Sequence, residues 1–196
     1  MFKIILTLIL IVFLISPANA YDWRTDFRDI TQQRRNQRIN NIYTYLEQNG
    51  AFSKDQKALK KEFLPYKEDK NYKQNLNYIK HGKPLTSNDY KVTGNYQKTA
   101  DKFLMNYSLE YNNKPNYKFA YDYAGHLISV TIINGNRNTL PYWTEIYTAA
   151  GYLQKVSLFA SDEYEYVFLA NGDFQGVIIK KTMYSRLGRP LKIWML

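Results

Sequence analysis

Residues 103–123 read Phe-Leu-Met-Asn-Tyr-Ser-Leu-Glu-Tyr-Asn-Asn-Lys-Pro-Asn-Tyr-Lys-Phe-Ala-Tyr-Asp-Tyr. Phe103, Met105, Tyr107, Leu109 and Tyr111 alternate with Asn106, Ser108 and Glu110, the two-residue period of a half-buried strand. Asn112-Asn113-Lys114-Pro115 supplies turn chemistry. The return run places Tyr117, Phe119, Tyr121 and Tyr123 opposite Lys118, Ala120 and Asp122. Two aromatic stripes on neighbouring strands pair across a sheet and bury much area per residue, so the stretch predicts an antiparallel hairpin with one aromatic face.

Downstream, a pattern of aromatic, three residues, Gly, one residue, apolar, two residues, apolar occurs four times. The copies are Tyr121, Gly125, Leu127, Val130; Tyr147, Gly151, Leu153, Val156; Phe168, Gly172, Phe174, Val177; and Tyr184, Gly188, Pro190, Ile193. Glycine adopts positive φ without a side-chain clash, so each copy predicts a strand, a tight turn at the glycine and a returning strand. Hairpins of this kind gain stability by adding to their neighbours, and the expected product is a continuous antiparallel meander.

The stretch Tyr121-Asp122-Tyr123-Ala124-Gly125-His126-Leu127 resembles the core of a YD repeat of the Rhs and teneurin type, with His126 where that repeat usually has Arg. The glycine-punctuated pattern is also similar to the hairpin repeats of bacterial MORN-variant proteins. Either resemblance covers only the C-terminal part, and implies a repetitive β-scaffold or interaction surface without catalytic residues of its own.

Toward the N-terminus, a helix is predicted over about Asp26 to Gln48, its stripe of Phe27, Ile30, Ile42 and Leu46 interrupted by Arg34, Arg35 and Arg38 and stopped at Asn49-Gly50. A second helix follows from the capping-box spacing of Ser53 and Gln56, shows Ala58, Leu59 and Phe63 as an apolar face, and ends at Pro65. The expected fold class is α+β, N-terminal helices followed by an antiparallel β-meander of hairpin repeats. Its parts are a signal peptide over 1–20, a helical basic region over 21–64, a Lys/Tyr/Asn-rich, loop-rich connection over 65–102, and the sheet over 103–196.

The signal peptide is read from Lys3, the run Ile4 to Ile15 that is apolar but for Thr7, and Ser16-Pro17-Ala18-Asn19-Ala20. That run is too short to span a bilayer, so export with cleavage near Ala20 is expected, to a periplasmic or extracellular place, with no transmembrane span in the mature chain. The 196 residues contain 27 Lys and Arg, 17 Asp and Glu, no Cys and 19 Tyr, with net charge +10. The missing cysteines exclude a disulfide scaffold and thiolate-based zinc or iron–sulfur chemistry. Residues 53–102 hold 12 Lys against 6 acids, whereas 103–196 are nearly balanced.

The expected function is that of an exported, non-catalytic binding or structural module of a bacterial cell envelope or secretion pathway. Its aromatic sheet face would contact an envelope polysaccharide or a protein through Trp143, Tyr147, Tyr164 and Tyr166 wherever their rings stay exposed. The sheet has the alternative of spending those rings on the helices. A second reading attaches the protein electrostatically to an anionic glycopolymer or membrane through Lys60, Lys61, Lys67, Lys70 and Lys73. Nucleic acid is not the expected partner. A third, carboxylate-dependent hydrolysis at Glu163 or Glu165, ranks last, because paired glutamates on a strand face more often guard against sheet aggregation. His81 and His126 are expected in solvent-facing turns, and neither a metal nor a cofactor is expected.

Overall fold

The structure is a computed structural model and describes residues 25–81, 89–99 and 102–193, with side chains described for 25–81, 89–94 and 106–191. The signal segment 1–20 and the Gly82 to Asn88 turn chemistry lie outside the described residues, as do Trp194 to Leu196. Among the described residues three α-helices and a short 3-10 turn at Leu64–Tyr66 precede ten strands, which is the expected α+β class with one helix more than the sequence predicts. Helix α1 spans Gln32–Gln48, α2 Gln56–Phe63 and α3 Tyr72–Lys80. The strands are β1 Tyr90–Thr99, β2 Lys102–Tyr111, β3 Tyr117–Tyr121, β4 Leu127–Asn134, β5 Tyr142–Thr148, β6 Leu153–Ser161, β7 Tyr164–Leu169, β8 Phe174–Ile179, β9 Thr182–Tyr184 and β10 Pro190–Ile193. They form one sheet in chain order, every neighbour antiparallel.

Helix α1 starts later than expected, because Thr31 caps it by accepting the Arg34 N–H, and residues 27–29 form a turn before it. Arg35 and Arg38 break the apolar stripe for a structural reason. The Arg35 guanidinium donates to the carbonyls of Phe27, Arg28 and Ile30, and that of Arg38 to Thr25, tying the entering chain across the helix. Gly50, at φ 77°, closes α1, and the Ala51 N–H returns to the Leu46 carbonyl. The cap of α2 is Asp55, which accepts the Lys57 N–H, and not Ser53, whose hydroxyl is drawn back to the Gly50 carbonyl.

The described residues of the segment 65–102 are mostly helix and strand rather than loop. Its polar composition hides Tyr72, Leu76 and Ile79, which recur at helical spacing and make α3 pack against the sheet, and the sheet begins at Tyr90 rather than at residue 103.

The hairpin of β2 and β3 has the expected facing, with Tyr107 opposite Tyr121 and Leu109 opposite Phe119, all four buried. Tyr123 departs from the stripe and is 65% exposed. It lies in the turn, which Asp122 closes by accepting the N–H groups of Ala124 and His126, both at 2.9 Å.

All four repeat copies become the same object. The glycines at 125, 151, 172 and 188 have φ between 75° and 86°. In each, the repeat aromatic sits opposite the apolar residue two past the glycine, as in Tyr121 with Leu127, Tyr147 with Leu153, Phe168 with Phe174 and Tyr184 with Pro190, and the register shifts at or beside that pair. This is a turn closed by a glycine bulge. Because the strands alternate in direction, the four turns lie along one end of the sheet, about 10 Å apart.

The helical segment crosses the sheet in the reverse of strand order. A methyl placed on Gly188 would meet the Arg35 guanidinium at 3.0 Å, on Gly172 the Tyr43 ring at 2.6 Å, on Gly151 the Gln56 carbonyl at 2.7 Å, and on Gly125 the Tyr72 side chain at 2.8 Å. Two buried clusters result on the helix-bearing face. In one, Phe27, Ile39, Ile42 and Leu46 cover Val156, Leu158, Tyr164, Tyr166, Phe168 and Val177. In the other, Leu59 and Phe63 lie over Tyr107, Phe119, Tyr121, Val130 and Tyr147. Each fully buried ring or aliphatic side chain contributes about 1.5–3 kcal/mol.

Gly151 carries both demands, positive φ and backbone contact with α2, whereas Gly135 has positive φ (92°) beside only Tyr142. In urea titrations, Gly135→Ala should lose about 1 kcal/mol, the cost of a left-handed alanine, and Gly151→Ala at least about 2 kcal/mol more. Equal losses would mean that the α2 contact is not tight.

Candidate functional surface

The four aromatic candidates are taken up by the helices. Tyr147, Tyr164 and Tyr166 are buried, Tyr166 completely, and Trp143 is half-buried with its ring edge-on to Tyr45 at 6.0 Å. The sheet has spent its rings on the helical layer, and these four do not form an open aromatic face.

Trp143 and Tyr147 instead serve a carboxylate that sequence reading missed. Glu145 is 0% exposed on the helix-bearing face of β5. Its Oε1 accepts from Asn134 Nδ2 at 3.0 Å and Trp143 Nε1 at 3.2 Å, and its Oε2 from the Tyr147 hydroxyl at 2.7 Å and from Lys54 Nζ. Lys54, in the α1–α2 connection, is thereby clamped to the sheet. The signal in the sequence was the spacing Trp143, Glu145, Tyr147, which puts all three on one strand face.

A second buried carboxylate, Asp69, is 7% exposed in the turn before α3. It accepts from the Tyr107 hydroxyl at 2.6 Å, Asn75 Nδ2 at 2.7 Å and the Asn71 N–H at 2.9 Å. The neighbouring backbone adds an interstrand-like clasp, Asp69 N–H to Gly125 carbonyl at 2.8 Å and Leu127 N–H to Lys67 carbonyl at 2.9 Å. Asp69 also lines a depression of about 190 Å³ with Glu68, Lys70, Tyr72 and the Ala124–His126 turn.

Five lysines stand elsewhere. Lys60, Lys61, Lys67, Lys70 and Lys73 are exposed on the outer side of α2, the turn after it and α3. None is in an ion pair among the described residues. Of the acids in this layer, Glu62 is bound to Lys114 at 2.6 Å, Asp69 is buried, Asp55 caps α2, and Glu68 is exposed between Lys67 and Lys70. The helical layer thus turns a net positive charge outward, five exposed lysines against the exposed Glu68 and the capping Asp55, while its apolar side covers the rings.

The remaining candidates are dispersed. Glu163 lies in the β6–β7 turn, paired with Lys180 at 3.1 Å, and Glu165 is half-buried in β7 opposite Phe159. His81 and His126 are exposed, as expected. Among the described residues, no three His, Cys, Asp or Glu side chains gather as a metal-binding group, and no helix is long and apolar enough to cross a membrane.

Removing one partner of a buried pair strands the other, so Glu145→Gln should lose about 3 kcal/mol in urea titrations. Lys54→Met added to it should cost less than the two single losses summed, and strict additivity would show that the pair is not coupled.

Burial also raises the phenol pKa of Tyr107, Tyr121 and Tyr147, helped at Tyr107 by Asp69 and at Tyr147 by Glu145. It pushes Tyr117 and Tyr166 up to about 12. The folded values exceed the ordinary 10.0, so this stability is whole below pH 10 and is lost as the pH rises toward 12. Alkaline titration should show the buried phenols ionising together with loss of circular dichroism. Ionisation of all tyrosines near pH 10 in a folded chain would contradict the burial.

No protein-family model matches the chain, and neither does any curated protein or solved structure.

Proposed function

We propose that the protein is an exported, non-catalytic binding module of a bacterial cell envelope, in which the hairpin meander is the scaffold and the Lys-rich helical layer makes contact with an anionic polymer or surface. The observation that carries this reading is the outward, unpaired array of Lys60, Lys61, Lys67, Lys70 and Lys73 on the layer whose inner side buries the aromatic face. Flexible ammonium groups neutralise phosphate, sulfate or carboxylate without a shaped pocket, and clustered on one side they raise the local concentration of an anionic partner.

Reading the repeat as a non-enzymatic scaffold, as the likeness to YD and MORN-variant repeats implies, is supported by the shared bulged turn of its four copies. Export rests on the Lys3 to Ala20 pattern.

Retention on immobilised dextran sulfate tests the reading. The wild-type chain from Tyr21 should elute at high salt. Lys60→Ala, Lys67→Ala and Lys70→Ala combined should elute early and flatten the dependence of log affinity on log salt by on the order of one unit per lysine in contact. Elution of the triple variant with wild type would overturn the proposal.

A further inference from the structure

The two ends of the sheet differ in a way that the proposed polymer contact does not use. Among the described residues, eight large apolar side chains are conspicuously exposed, and six of them lie at the end formed by the repeat turns. Tyr123 (65%), Tyr152 (60%) and Leu187 (45%) are in the turns, and Ile128, Leu169 and Leu191 flank them. Of the other two, Leu140 lies in the β4–β5 loop at the opposite end, and Leu64 follows α2.

The cations at the two ends differ in their pairing. In the opposite turns, three of the four cations are neutralised, Lys114 by Glu62, Arg137 by Glu110 and Lys180 by Glu163, leaving Lys181. At the repeat-turn end, Arg186 and Arg189 are exposed and in no ion pair among the described residues, while the two acids of these turns are engaged locally, Asp122 by the Ala124 and His126 N–H groups and the His126 ring and Asp173 by Asn171 Nδ2. The helical layer brings Lys60, Lys67 and Lys70 to that end, since the Lys60 backbone lies against Gly151, the Lys67 carbonyl accepts the Leu127 N–H, and Lys70 lines the depression at Gly125.

We infer that the repeat-turn end is a membrane-contact surface that docks on an anionic phospholipid bilayer, cations to the headgroups and the exposed tyrosine and aliphatic side chains into the acyl boundary. This rests on the cationic reading above and names its partner. The exposed apolar groups choose between anionic partners. Ile128, Leu169, Leu187 and Leu191 offer no ring to stack on a sugar and gain only where water is left behind, whereas tyrosine places its ring at the boundary and its hydroxyl among the headgroups. Binding of this kind sums buried apolar area and attraction to anionic lipid, each cation near the surface being worth about a fivefold change in partition. A soluble polyanion would use the cations and leave the apolar row wet. Repetition explains the layout, because each bulged turn returns the chain at the same end of the sheet and exposes side chains there.

The test compares three forms of the chain from Tyr21, which holds every described residue: wild type, Tyr123→Ser/Ile128→Ser/Tyr152→Ser/Leu187→Ser, and Lys60→Ala/Lys67→Ala/Lys70→Ala. All changed side chains are exposed, and unchanged thermal melts establish that each variant is folded. Each is sedimented with vesicles of equal phosphatidylglycerol and phosphatidylcholine, with phosphatidylcholine alone, and applied to dextran sulfate. Wild type should bind the anionic vesicles and not the neutral ones. The apolar variant should lose at least about tenfold on vesicles while its dextran sulfate retention is unchanged, and the lysine variant should lose both. An apolar variant that binds anionic vesicles like wild type would overturn the membrane inference and leave the polyanion reading standing. Loss of neither interaction in the lysine variant would overturn that reading itself.

Discussion

A ten-stranded meander with aromatic residues at alternate positions cannot leave that face in water, and the covering of the face by a helical segment that precedes it in the chain is the constraint on which the rest depends. Tyr107, Tyr121, Tyr147, Tyr166, Phe119 and Phe168 are all essentially removed from solvent, and no disulfide supports them. Their burial supplies the hydrophobic driving force, and it decides where the helices run. A helix laid over the sheet must approach the hairpin turns closely, and glycine at each turn is what makes that approach sterically possible. The same residue therefore serves the bulge by its positive φ and the layer contact by its missing side chain.

Polar groups trapped under the layer are handled by pairing. Glu145 and Asp69 each sit between sheet and helical segment and accept three or more hydrogen bonds, from Tyr147 and Lys54 in one case and Tyr107 and Asn75 in the other. Buried unpaired, either carboxylate would cost several kcal/mol; paired, they act as register pins that fix which part of the helical segment meets which strand. The apolar contacts are permissive about sliding, and these bonds are not.

Putting the apolar side of α2 and α3 on the rings leaves their lysines outside. The positive layer is thus the outer consequence of the inner packing, and the proposed binding surface and the core are two sides of the same helices. The repeat turns, packed against the layer at their glycines, then expose whatever their sequences carry, here tyrosine, leucine and isoleucine beside arginine.

Much of this was legible in the chain. Alternation over 103–123 and the spacing of Gly125, Gly151, Gly172 and Gly188 specified strands, turns and the meander, because period-two patterning and positive φ are local requirements. The exposure of the five lysines followed from the cost of burying an unpaired charge. Helix α3 and strand β1 were not legible, since the three apolar residues at helical spacing in 72–80 are outnumbered by Lys, Asn and Gln, and residues 90–99 are polar enough to read as loop. Nor could the sequence say which face of the sheet would be covered, that Tyr147, Tyr164 and Tyr166 would be buried, or that Glu145 would find Lys54 ninety-one residues away. Local sterics and patterning determined the elements; tertiary contact decided burial, pairing and surface, because these depend on which distant segment arrives to displace water.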